Sequence, residues 1–104
     1  MAQPTAQQDA VRVDPKHYNV EFENGQVRVL RISYGPGEKS VMHSHPNIVV
    51  VFLTDAHVKF TYPDGNSEEI RATAGQVVWM PATAHLPENM SDKPLEVRAV
   101  ELKS

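Results

Sequence analysis

Apolar and polar residues alternate with a period of two along most of this chain, the pattern of strands with one buried face. Val58, Phe60 and Tyr62, for example, alternate with His57, Lys59 and Thr61. The spacing predicts short strands over 11–13, 19–23, 27–34, 41–45, 48–53, 57–62, 67–72, 76–80 and 95–102. Turn chemistry separates them: Asp14-Pro15, the hairpin dipeptide Asn24-Gly25, Gly35-Pro36-Gly37, Pro46-Asn47 and Pro63-Asp64-Gly65-Asn66. Pro81 stops the eighth strand, and a loop rich in Pro, Glu and Asn follows, running through 91–94. Turns at this spacing predict an all-β sandwich or barrel, and no helical period, heptad or repeat competes with that reading. Residues 48–53 are apolar on both faces, and Val29, Leu30 and Ile32 have mixed parity. Such strands need cover on each side, so a homodimer is expected.

At 104 residues the chain is one domain's worth. We expect a flexible N-terminal segment, 1–10, and a single barrel domain, 11–104. With 40% hydrophobic and 22% charged residues it belongs with folded globular chains rather than disordered ones. The net charge of −3 gives no basic field for nucleic acid or an anionic membrane. No helix-turn-helix pattern suggests a transcriptional sensor. The longest apolar run is strand-sized, far from the ~20 residues of a membrane span. The first ten residues have neither a basic region nor an apolar core, so the chain reads as cytoplasmic; residues 2–8 as the start of a processed periplasmic or secreted form is the alternative. There is no cysteine, so any metal must be held by His, Asp or Glu.

His43 and His45 lie two apart in a strand pattern and therefore share a face. One strand can so offer two ligands to one ion, at ~2.0–2.2 Å each. Taken alone, His-x-His is a weak motif, because an exposed pair on a surface strand looks identical. His57 shares parity with Lys59 and Thr61 and reads as a surface residue, and His17, in a polar turn, reads as solvated.

The surroundings of the pair add to it. Gly37, five residues, then His43-Ser44-His45 resembles the first motif of the cupin superfamily. Gly75, five residues, Pro81, then His85, three residues and Asn89 resembles the second. The resemblance implies a cupin jelly-roll β-barrel, a double-stranded β-helix, in which His43, His45 and His85 bind one divalent ion: Fe, Mn, Ni, Cu or Zn. Because the ligands must be deprotonated, binding is expected to weaken below about pH 6.5, where free histidine titrates. The chain departs from the family pattern in three places. Val49 and Val50 stand where the first motif has a metal-binding Glu, and strand parity with His45 points Val49 inward unless Pro46-Asn47 shifts the phase. A Glu at Val49 is accordingly expected to add a fourth ligand. Thr83 occupies the usual Gly of the second motif, where the Pro81-to-His85 gap is one residue short. Ala56 replaces the closing Gly.

Three neutral imidazoles would leave the full metal charge for an anionic or chelating ligand. The expectation is a metal-dependent oxidoreductase of dioxygenase type acting on a small anionic or chelating molecule. A non-catalytic small-ligand or metal-binding module, and an isomerase or lyase, stay open beside it. Glu88 reads as a solvated carboxylate with a base as its alternative, and Asn89 as ordering the His85 loop. Arg31 and Arg98 are possible anion partners. Trp79, Met80, Met42, Phe52 and Met90 read as core before pocket.

Overall fold

A computed structural model describes residues 8–103 of the chain. Among these residues nine strands follow a single helical turn. They are β1 (Tyr18–Glu23), β2 (Val27–Tyr34), β3 (His43–His45), β4 (Ile48–Phe52), β5 (Ala56–Thr61), β6 (Ser67–Ala72), β7 (Val77–Met80), β8 (Thr83–Asn89) and β9 (Leu95–Leu102). They form two antiparallel sheets, ordered β1-β2-β9-β4-β7 and β3-β8-β5-β6. The chain crosses repeatedly from one sheet to the other, giving the jelly-roll barrel expected from the strand pattern. No helix among the described residues is long and apolar enough to cross a membrane.

The inner faces make the core. Leu30, Ile32 and Tyr34 of β2 pack with Ile48, Val50 and Phe52 of β4 and Leu95, Val97 and Ala99 of β9, facing Val58 and Phe60 of β5. In each strand the buried residues are two apart, so binary pattern and fold agree. Gly75 turns the chain into β7 at φ +89°, a backbone conformation that side chains rarely adopt.

Three elements differ from the sequence reading. Residues 11–13 are not a strand but part of α1 (Ala10–Val13), in which Asp9 O accepts from the N–H groups of Arg12 and Val13. Three residues are too few to tell one period from the other. Of the segment expected to be flexible, residues 1–7 lie outside the described ones, while Asp9 bridges Ser44 and Ala10 is fully buried. The expected loop after Pro81 contains β8. Pro87 argued against a strand there, but its carbonyl accepts from Ser40 N while Phe60 of β5 lies opposite it.

Candidate metal centre

The site is built by one register. Parity puts His43 and His45 on the inner face of β3, and antiparallel pairing sets His85 of β8 directly opposite His43. All three are buried. Their ring centroids are 4.8, 5.0 and 5.4 Å apart and the rings stand nearly perpendicular to one another. One nitrogen from each lies within 4.8 Å of the others. This approaches the ~4.4 Å that two donors at ~2.2 Å from a shared ion can span.

Hydrogen bonding fixes how two of the rings face. His43 Nδ1 donates to Val41 O at 2.8 Å, with Ser40 Oγ 3.2 Å away, so Nε2 carries the lone pair. That Nε2 is buried and has no hydrogen-bond partner among the described residues. His45 Nδ1 donates to Glu101 Oε2 at 2.6 Å, which leaves its Nε2 on the side away from that carboxylate. His85 stacks on Phe60 at 4.8 Å, which sets its plane. Burial, followed by the neighbouring His45, lowers the pKa of His43 to about 4. Burial, then His45 and His43, hold His85 well below the ordinary range. Both rings stay neutral, the form that ligates metal, far below the pH 6.5 expected from free histidine. An orphaned buried acceptor beside two further imidazoles, each oriented by a partner, fits a metal ion.

Beside the histidines lies a cavity of about 60 Å³ walled by Ile48, Val50, Phe52, Val58, Phe60 and Met80. At the ~10–15 Å³ one water needs, it holds roughly four to six waters' worth of ligand. A wider trough of about 310 Å³ shares His85, Phe60, Met80 and Thr83 with it and is flanked by Tyr62, Glu68 and Trp79. Among the described residues no Asp, Glu, Lys or Arg lines the inner cavity. Tyr18 does line it; its hydroxyl is 2.6 Å from that of Tyr34, and burial, then Tyr34, raise its pKa so that it stays neutral.

The remaining residues singled out by sequence fall as follows. Val49 does not face the histidines: Ile48, Val50 and Phe52 point inward, because Pro46-Asn47 carries the chain from one sheet to the other and shifts the phase by one residue. His57 lies on the polar side of β5, against Glu69. His17 is not solvated but 5% exposed, bonded to Asp14 and Glu38. Glu88 has the opposite parity to His85 and pairs across from Lys59, facing away from the cavity. Asn89 orders a different loop from the expected one, donating to Gly35 O and Lys93 O. Arg31 and Arg98 are paired outside the barrel with Glu96 and Glu21. Phe52 and Met80 line the cavity, whereas Trp79 and Met90 are exposed.

Sequence reading missed Glu101, Asp14 and Ser40. For Glu101 a signal existed: it continues the buried phase of Leu95, Val97 and Ala99, where a charge is out of place. Asp14 and Ser40 stand in turns with no periodicity to flag them.

A family model described as a cupin domain matches residues 30–101. Among solved structures, a cupin domain from Bordetella pertussis Tohama I is 25% identical, with 100% of this chain and 99% of that one covered and a TM-score of 0.77. An RmlC-like cupin of double-stranded β-helix fold from Methanocaldococcus jannaschii is 19% identical over 86% and 83% of the two chains, at a TM-score of 0.62. Oxalate decarboxylase of Bacillus subtilis, a protein with Mn(II) centres, is 24% identical over 73% of this chain but only 21% of its own, at 0.57. A search of curated proteins finds no match.

Proposed function

The chain belongs to the cupin family, and on that premise we propose that it holds one divalent transition-metal ion at Nε2 of His43 and His45 together with His85, and acts as a dioxygenase-type oxidoreductase on a small chelating molecule. The observation that carries the reading is the buried His43 Nε2, which has no hydrogen-bond partner among the described residues and stands among two further imidazoles. A bound ion would supply Lewis-acid polarisation and a template for a chelating ligand. An all-imidazole donor set suits Fe, Ni, Cu and Zn better than Mn.

The chain's own residues define the ligand. With no Lys or Arg among the described residues that line the cavity, an anionic group would be compensated only by the ion the histidines would hold, so the substrate has one chelating end. Its body lies against Val50, Phe52, Val58 and Met80 and is apolar. Phe60 and Glu101 hold His85 and His45 in orientation, and the apolar wall offers water few hydrogen-bond partners.

The lack of carboxylate or amine in that lining favours one other reading, a binding module without turnover. Oxygen consumption by the iron-loaded protein, tested over apolar 1,2- and 1,3-dioxygenated chelators, separates the two. Uptake matched to substrate loss supports the dioxygenase. Tight chelator binding with no product supports the module, and conversion without oxygen points to an isomerase or lyase.

We also propose a homodimer through the outer face of the five-stranded sheet. Register aligns Phe22, Val29, Val100, Val49 and Trp79 in one apolar row across all five strands, with Phe22 54% and Trp79 53% exposed. A second copy would cover it.

A further inference from the structure

Residues 8–17 precede the stretch that matches the family model, yet they pack on β3, the strand bearing two of the three histidines. Ser44 N donates to Gln8 O at 2.8 Å and Ser44 Oγ to Gln8 Oε1 at 3.1 Å. From this segment two separate hydrogen-bond chains run inward. In the first, Asp14 Oδ2 accepts from Ser40 Oγ, which lies 3.2 Å from His43 Nδ1, beside the 2.8 Å bond of that nitrogen to Val41 O. Asp14 is itself fixed by His17 at 2.7 Å; the other nitrogen of His17 meets Glu38 at 3.1 Å, and its ring stacks on Tyr34. In the second, the Asp9 carboxylate accepts from Arg28, Arg28 Nε donates to Glu101 Oε1 at 2.7 Å, and Glu101 Oε2 accepts from His45 Nδ1 at 2.6 Å.

Each chain starts on a carboxylate of the segment and ends on Nδ1 of a β3 histidine, opposite the nitrogen that faces the cluster. Buried carboxylates are poor stabilisers compared with apolar packing, so Asp14 and Glu101, both under 9% exposed, are better explained by what they orient. A partner at Nδ1 fixes the tautomer and raises the donor strength of Nε2.

We infer that the segment 8–17 is a docked clamp in which Asp9 and Asp14 act as positioning residues for His45 and His43, so that its docking and metal binding are coupled. The inference rests on the proposed metal site. Coupling is reciprocal: metal must tighten the segment as much as the docked segment tightens metal.

The test uses full-length protein and Co²⁺. Asp9→Asn and Asp14→Asn are each expected to weaken cobalt binding about tenfold or more and to shift its visible absorption bands. Their combined effect is expected to fall short of the product of the two, since both act through one docked segment and on rings 4.8 Å apart. Glu69→Gln, on the outer face of β6, is expected to change neither. In the wild type, which needs no variant to fold, cobalt is expected to slow amide exchange at Arg12, Val13, Asp14 and His17. Unchanged affinity and spectrum in both Asp variants, or unchanged exchange in the segment, would overturn the coupling while leaving the three-histidine site intact. A wild type that takes up no cobalt would remove that site and the coupling with it.

Discussion

His43 is a proposed metal ligand whose burial also bears on folding. Its ring stays neutral down to about pH 4, whereas in an unfolded chain it takes a proton near about 6.5. Between those values the unfolded state binds a proton that the fold refuses. The histidine's contribution is therefore fully present above about pH 6.5 and is lost as pH falls towards about 4. His85, lowered by the same burial, acts with the same sign. Metal-free protein is expected to show a lower denaturation midpoint at about pH 5 than at about pH 7.5; equal midpoints would contradict the burial of these rings. Glu101 gives a second prediction at this scale. Glu101→Ala leaves His45 Nδ1 and Arg28 without their shared acceptor. It is expected to destabilise the fold by roughly 3–5 kcal/mol and to weaken metal binding about 10–100-fold. Chemical denaturation without metal and a metal titration measure the two losses separately.

At the scale of elements, the short corner between β3 and β4 decides what Val49 does. Val49→Glu places a carboxylate in the apolar row on the outer sheet face rather than beside the histidines. Metal affinity is expected to stay unchanged while a dimer formed through that face dissociates; light scattering and a metal titration on the variant decide it, and a gain in Mn²⁺ affinity would put Val49 inside after all. The same corner shows what the sequence could and could not tell. Period-two alternation located the long strands because each buries one face. It also put His43 and His45 together, since residues two apart in a strand cannot part. Alternation could not cross Pro46-Asn47, where the chain changes sheets and parity restarts. Nor could it show β8, because a proline inside a strand is tolerated only when a neighbour makes no use of its missing N–H. His85 was legible only by its resemblance to a known motif, not by pattern. Asp14 reaches the site through Ser40, 26 residues away in sequence, and no local pattern encodes that contact.

Over the whole molecule, the barrel gives a small, largely apolar chamber beside the histidine cluster, and the N-terminal turn is folded onto the strand that carries two of the three. The fold shared with other cupins sets the chamber but not the reaction. The central proposal is that His43, His45 and His85 would hold one ion. The measurement that tests this most directly is the metal content of protein saturated with a divalent transition metal and then freed of excess, for the wild type, His85→Ala and His57→Ala. About one ion per chain is expected in the wild type and in His57→Ala, and close to none in His85→Ala. Full occupancy in His85→Ala, or none in the wild type, would contradict it.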